Sequence, residues 1–361
     1  MTTATRPVVQ GTVHVVLPDD VDDPALPSGG NAYDRRVCRG LACGGWAVEE
    51  IAVGGSWPRP DGAARAALRR ALDGLPDGAV VLLDGLVACG VPDVVVPQAG
   101  RLALVVLVHL PLGDEEGGTE EDRASLADAE RAVLHAAAAV VATSPWTAAR
   151  LADVHGLAGV HVARPGVDPV PLARGSGGAG RLMCVGSVSP TKGQDVLVAA
   201  LATVVDLPWT CALVGPLRRD PAHVARVRAA IDGHGLAGRV RLTGPLTGPP
   251  LDAAYDTADL LVVPSRAEAY GMVVTEALAR GVPVLGSAVG GIPESVGGDA
   301  GLLVPPGDAG ALAGALRRWF ADPDLRDRLR SGAAARRDVL DGWEVTIRCL
   351  AAVLRRCGTR G

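Results

Sequence analysis

Residues 255–296 read YDTADLLVVPSRAEAYGMVVTEALARGVPVLGSAVGGIPESV. The apolar run at 260–263 is made of leucine and valine and stops at Pro264-Ser265. A short run of that kind, closed by a turn signal, predicts a strand buried on both faces. A polar loop follows, then a helical stretch over 271–280 and a second apolar strand over 282–285. Strand, helix and parallel strand in that order make a βαβ unit.

The same alternation extends in both directions. Toward the N-terminus of this half it predicts strands at 182–185, 209–214 and 240–243, with helices over 192–205 and 221–234. Beyond it lie helices at 309–321 and 344–356. The first half repeats the scheme, with strands at 13–17, 48–53, 80–83, 102–108, 139–143 and 160–163. Its helices begin at Tyr33 and run over 62–75 and 120–138. Between the halves, 165–180 is rich in Pro, Gly, Ser and Ala, with ARGSGGAG at 173–180, a linker composition. The chain therefore reads as α/β, with a doubly wound domain over 1–168, a linker over 169–180, a second doubly wound domain over 181–340, and a C-terminal helix in 341–361. Ligands are expected at the carboxyl ends of the strands, in a cleft between the domains.

Composition narrows the function. With a formal net charge of −5, the chain lacks the basic excess of a nucleic-acid binder. The longest apolar run, 102–112, contains His109 and is too short to span a bilayer. Residues 1–10 lack the apolar stretch of a signal peptide, and seven cysteines without a CxxC pair suggest a reducing compartment. The expected location is the cytoplasm. The basic stretches 62–75 (Arg65, Arg69, Arg70) and 34–42 (Arg35, Arg36, Arg39) lack large apolar anchors, so membrane association is not expected.

One residue stands out. Lys192 is the only lysine, against 34 arginines. Arg and Lys are not interchangeable where a compact ammonium is needed. Lys192 lies in VGSVSPTKG (185–193), where a strand ends at Gly186 and a helix is expected to open. Backbone N–H groups at a helix start, with an ammonium beside them, suit a phosphate. The quoted stretch also carries two carboxylates, Glu268 in the loop and Glu276 in the helix, eight positions apart. Either can accept hydrogen bonds from sugar or ribose hydroxyls, though by spacing alone a pair of surface glutamates is the commoner reading.

The residues from Tyr255 to Val296 resemble the donor site of the retaining glycosyltransferases of family 4, which carry an E-x7-E motif on the GT-B fold. GSVSPTKGQDVLVAAL at 186–201 resembles that family's lysine segment, and GLLVPPGDAGALAGAL at 301–316 the segment after the motif. The first half is similar more loosely, through GGNAYDRR at 29–36, VHLPL at 108–112 and VVATSPWTAARL at 140–151.

The resemblance implies a fold, a reaction and a site. The fold is GT-B: two Rossmann-like domains, with the C-terminal helix a candidate to return to the first. The reaction is metal-independent transfer of a hexose-type sugar from a nucleotide sugar, UDP favoured over GDP, to a small soluble acceptor. No separate cofactor is implied, since the nucleotide sugar is a co-substrate. In a front-face mechanism the leaving phosphate takes the acceptor's proton, so no protein nucleophile is needed. Lys192 would contact the donor diphosphate, Glu268 the sugar hydroxyls and Glu276 the ribose. Backbone groups of Ala269, Tyr270, Gly271, Met272 and Val273 would line sugar and phosphate. Gly186, Ser187 and Gly215 belong to the same binding set, and Gly30 would let backbone approach the diphosphate. His109, which by position alone reads equally as a hydrogen-bonded core histidine, would reach the sugar.

Two departures bear on activity. Ser187 stands where the family usually carries an Arg that helps neutralise the diphosphate; Arg266 and Arg218 are candidates to replace it. Glu268-Ala269-Tyr270-Gly271 stands where EGFG is common. The Asp20-Val21-Asp22 triplet matches the metal motif of another glycosyltransferase fold, but sits in an acidic loop without that motif's context. A nucleotide-sugar-binding protein with degenerate transfer, or a sugar-nucleotide epimerase on the same fold, are the competing readings.

Overall fold

The computed structural model describes residues 10–114 and 119–359. The expectation about a leader falls on residues 1–9, outside the described residues. The chain forms two compact units. The first is built from the described residues of Met1–Val21, Gly30–Gly166 and Trp343–Gly361, the second from Asp22–Gly29 and Val167–Gly342.

The first unit holds a six-stranded parallel sheet, made from β1 (Gly11–Pro18), β2 (Trp46–Val53), β3 (Val80–Asp84), β4 (Ala103–Val108), β5 (Ala139–Ala142) and β6 (His161–Val162), in the order β2-β1-β3-β4-β5-β6. Every residue of β3 is buried, as a central parallel strand between helix layers requires. The edge strand β2 carries Glu49 and Glu50 outward. The helix Trp343–Gly358 belongs to this unit, and its Thr346 Oγ1 donates to the Arg164 carbonyl at 2.6 Å.

The second unit repeats the plan with β7 (Arg181–Val185), β8 (Thr210–Val214), β9 (Val240–Gly244), β10 (Leu260–Val263), β11 (Val284–Ser287) and β12 (Gly301–Val304), ordered β12-β11-β10-β7-β8-β9. One face of the sheet packs Leu197, Leu213, Trp209 and Trp319; the other packs Tyr255, Val274, Leu278 and Ile292. Both faces are thus covered by helices, which makes this a doubly wound layer structure of the Rossmann type. In each unit the chain order of the strands changes direction inside the sheet, at β1/β3 in one and at β7/β10 in the other.

The helices Pro249–Asp256 and Pro323–Arg337 were not predicted, and three further features differ from the sequence reading. The strand β12 was not predicted: it is a four-residue edge strand running into Pro305-Pro306, too short to show a period. Lys192 does not open a helix. It closes a single 3₁₀ turn, Pro190–Lys192, and the α-helix Gln194–Ala202 begins only after Gly193, whose φ of +68° breaks the run. The stretch expected to be a loose linker is fastened to the second unit. Asp259 accepts from the Ser176 N–H at 2.9 Å and from its hydroxyl at 2.6 Å, and Ala173 N–H donates to the Arg280 carbonyl at 2.8 Å.

Candidate active site

In the second unit, Lys192 and Glu268 meet at 2.7 Å, Nζ to Oε2. They come from different crossovers, so their meeting needs the loops after β7 and β10 to be locked together. Arg266, at the exit of β10, supplies the lock. Its N–H donates to the Thr191 carbonyl at 2.8 Å, and its guanidinium donates to the Pro190 carbonyl at 2.6 Å. The same guanidinium holds Asp195 through two bonds, at 3.0 and 2.7 Å, a bidentate fork that lysine could not form. A Cβ on Gly193 would lie 2.1 Å from the Pro264 carbonyl oxygen, so only glycine lets the two loops touch.

The Lys192 stem crosses Gly186: a Cβ there would sit 3.4 Å from Lys192 Cγ. Gly215 in turn packs on Gly186, where an added Cβ would be 2.0 Å from the Gly186 carbonyl oxygen. Ser187 is half-buried, and its carbonyl accepts from Gln194 Nε2 at 3.0 Å.

The Glu268 loop is propped from below by a neighbouring glycine pair. Gly291 N–H donates to the Glu268 carbonyl at 3.0 Å, and Ser295 Oγ donates to the Tyr270 carbonyl at 2.7 Å. Gly290 has φ +58°, and a Cβ on it would lie 1.6 Å from the Glu268 carbonyl oxygen. The loop then passes through Gly271, at φ +84°, into the helix Met272–Ala279, which has no side-chain N-cap. The N–H groups of Met272 and Val273 have no acceptor among the described residues. The first turn of a helix leaves such donors for an external partner.

Glu276 lies in that helix, one oxygen (Oε2) accepting from the Tyr255 hydroxyl at 2.9 Å. Burial holds its carboxyl above the ordinary carboxylate value, while Tyr255 and Arg280 draw it down. Arg280 stacks over the Tyr255 ring at 4.7 Å and donates to the Glu276 carbonyl at 3.0 Å. The second oxygen, Oε1, has no hydrogen-bond partner among the described residues.

The first unit contributes a separate group. His109 follows β4 directly, and its Nε2 lies 3.0 Å from Asp34 Oδ1. Gly30 packs on the His109 ring, where a Cβ would be 3.4 Å from Cδ2. Tyr33 meets the ring edge-on at 5.3 Å. Asp84, at the end of β3, completes a cluster in which one ligand atom each from Asp34, Asp84 and His109 lies within 4.8 Å of the others. Burial lowers the affinity of His109 for its proton, but the two carboxyl groups outweigh it and raise its pKa to about 9.

Sequence reasoning named Lys192, Glu268, Glu276 and His109, and the structure joins the first two directly. It missed Asp34, Asp84, Tyr255, Gly193, Gly290 and Gly291. Asp34 and Asp84 left no trace because single buried acids look like any others in sequence. The glycines sat inside quoted motifs, but their need for positive φ or close backbone contact is visible only in three dimensions. Of the two arginines considered as replacements beside Ser187, Arg266 is committed to Asp195, while Arg218 is exposed with no partner among the described residues.

Two parallel doubly wound units, with a lysine–glutamate pair after the strands of the C-terminal one and a second glutamate in the helix that follows, have the architecture of the GT-B fold. Comparison with known proteins agrees. Residues 179–322 match the family model "Glycosyl transferases group 1". The chain is 33% identical over 263 residues to the D-inositol 3-phosphate glycosyltransferase of Jonesia denitrificans, covering 66% of this chain and 62% of that one. It is 34% identical over 258 residues to D-inositol 3-phosphate glycosyltransferase 1 of Catenulispora acidiphila, covering 64% and 61%. The chain therefore spans about three fifths of the length of these curated relatives. Among solved structures, sucrose-phosphate synthase from Thermosynechococcus elongatus superposes with a TM-score of 0.81 at 25% identity, covering 97% of this chain and 100% of that one. Residues 179–322 are thus similar to the group 1 glycosyl transferases, and the chain has the GT-B fold. No described helix is long and apolar enough to cross a membrane.

Proposed function

We propose that this chain transfers a hexose-type sugar from a nucleoside-diphosphate sugar, UDP favoured, to a small polar acceptor, with retention at the anomeric carbon. The observation that carries this reading is the Lys192–Glu268 contact at 2.7 Å, with the uncapped helix Met272–Ala279 and Glu276 following in the same segment. Lys192 is the cation for the leaving diphosphate. On donor binding its ammonium exchanges Glu268 for phosphate oxygen, and Glu268 is released to accept the sugar hydroxyls. The N–H groups of Met272 and Val273 add fixed dipoles toward the same charge. Glu276 presents Oε1 to the ribose, its other oxygen being held by Tyr255.

In this mechanism the chain orients the donor and stabilises charge on the departing diphosphate. The leaving phosphate oxygen takes the acceptor's proton as the acceptor oxygen attacks from the same face. His109 contacts the transferred sugar. The first acceptors to test are cyclitol phosphates, since the relatives from Jonesia denitrificans and Catenulispora acidiphila are named for D-inositol 3-phosphate.

Ser187 favours a second reading, a nucleotide-sugar-binding protein with little transfer. It removes a cation beside Lys192, and Arg266 does not replace it because Asp195 holds it. Incubation with UDP, GDP and ADP sugars, with and without acceptor, separates the readings. Acceptor-dependent release of nucleoside diphosphate with a retained glycoside supports transfer. Tight donor binding without product supports the binding protein, and isomerised free sugar an epimerase.

A further inference from the structure

The Asp34–Asp84–His109 group is more than a histidine with one partner. Asp34 is 2% exposed and Asp84 5% exposed, so both carboxyls are buried. Asp34 Oδ1 takes the His109 Nε2, but its other oxygen, Oδ2, is buried without a donor of the ordinary kind. A buried acceptor left bare is costly. Asp84 lies beside it, with an oxygen of each carboxyl and a ring nitrogen of His109 within 4.8 Å of one another, and two carboxyl groups can bond only if one holds a proton. The other face of Asp84 is fixed, because its Oδ1 accepts the Leu86 N–H at 2.8 Å and caps the short helix Gly85–Ala88.

We propose that Asp34 and Asp84 are positioning residues for His109: Asp84, as a neutral acid, donates to Asp34, and Asp34 accepts the Nε2–H of His109, so that Nδ1–H is left to donate to a ligand. The proposal rests on the reading above for what His109 touches, but not for how it is held. Nδ1 has no hydrogen-bond partner among the described residues, and the His109 side chain is 23% exposed. Tyr33 fixes the ring plane from the same helix as Asp34, with its own hydroxyl donating to the Ala163 carbonyl at 2.9 Å. Thr143 Oγ1 holds the His109 carbonyl at 3.2 Å. The titratable groups around the ring are thus Asp34 and Tyr33 on the helix Gly29–Cys43 and Asp84 at the end of β3; Cys349, on the helix Trp343–Gly358, acts on Tyr33. The electrostatics agree: burial and Asp34 push Asp84 up to about 7.

The arrangement makes the two acids respond differently to amidation. In Asp84→Asn the amide keeps an acceptor for Leu86 and a donor for Asp34. In Asp34→Asn the imidazolium loses its counter-charge. The test is nitrogen-detected NMR of the histidine ring in the full chain, assigned with His109→Gln, alongside kinetics with UDP-glucose. The wild type is expected to titrate in the window that a pKa of about 9 defines, and Asp84→Asn to keep His109 doubly protonated up to about pH 7, where the wild-type Asp84 still holds its proton. Asp34→Asn is expected to move its titration below that window and to lower kcat roughly 10²-fold. An Asp84→Asn variant as damaged as Asp34→Asn, or a wild-type His109 that titrates near the ordinary 6.5, overturns the proposal. So does a metal-free sample whose melting temperature rises with Mn²⁺ or Zn²⁺ and loses that response in Asp84→Asn, since the cluster would then be a cation site. If Asp34→Asn does not fold, the wild-type titration and Asp84→Asn still decide. If His109→Gln leaves transfer unchanged while the NMR result holds, the sugar contact fails and the positioning stands.

Discussion

Lys192 and Glu268 neutralise each other across 2.7 Å, although one follows β7 and the other β10. On the proposed function, the ammonium that meets the diphosphate is thus held beforehand by the carboxylate that meets the sugar hydroxyls. Glu268→Gln should separate the two roles. Without the carboxylate, Lys192 is freed for phosphate, so UDP alone should bind at least as tightly as to wild type. Transfer should nonetheless fall, by about 10²-fold, because the orienting carboxylate is gone. Calorimetry with UDP and steady-state kinetics measure the two effects; equal loss of both would mean that Glu268 acts only by holding the loop.

The loop geometry makes its own prediction. Gly290→Ala forces a Cβ to within 1.6 Å of the Glu268 carbonyl oxygen, at φ +58°. Gly193→Ala brings one to 2.1 Å from the Pro264 carbonyl oxygen, at φ +68°. The positive φ alone costs about 1–3 kcal/mol in each variant, and the contact adds to it. Both should unfold earlier in denaturant and lose donor binding. Gly238→Ala is the control, because nothing lies within 4 Å of its added Cβ.

Tyr255→Phe removes the hydroxyl that Glu276 accepts at 2.9 Å. The hydrogen bond contributes about 1 kcal/mol, so donor KM should rise about fivefold. The effect belongs in KM rather than kcat, since ribose binding is the same in ground and transition states. A kcat effect of similar size with KM unchanged would place Tyr255 elsewhere in the reaction.

Stability should fall as pH rises. His109 holds its proton in the folded chain up to about 9, against 6.5 unfolded. Its contribution is complete below 6.5 and is lost as pH rises through about 9. Asp84 is also raised, from 3.8 to about 7, so its proton-linked contribution is complete below 3.8 and is lost as pH rises through about 7. Melting temperature should therefore decline from pH 3.8 to about pH 9, the part below about pH 7 coming from Asp84 and the part above it from His109. Asp84→Asn, which cannot ionise, should flatten the lower part of that decline; an unchanged curve would contradict the proton placement.

Much of this was readable in the residues. The buried strands announced themselves as short valine–leucine runs, and eleven of the twelve strands lie where those runs are. Only β12, short and at an edge, gave no periodic signal. At the site, Lys192 was conspicuous as the single lysine, and Glu268 and Glu276 took meaning from their surroundings. The interruption by Gly193 was not legible, because a glycine inside a helical pattern is usually tolerated. Nor was the role of Arg266, a reserve cation by sequence and a loop clasp in the fold. Asp34 and Asp84, separated by fifty positions, could not be paired without knowing that the Gly29–Cys43 helix lies against the end of β3.

The central claim is that this chain moves a sugar from a nucleoside diphosphate and that Lys192 stabilises the leaving group. The measurement is product formation from UDP-glucose and inositol phosphate, by wild type and Lys192→Ala, with released UDP quantified and the anomeric configuration read by NMR. The account predicts an acceptor-dependent, configuration-retained product from wild type, and a rate lower by about 10²–10³-fold in the variant. A Lys192→Ala variant that turns over the donor at the wild-type rate would contradict it.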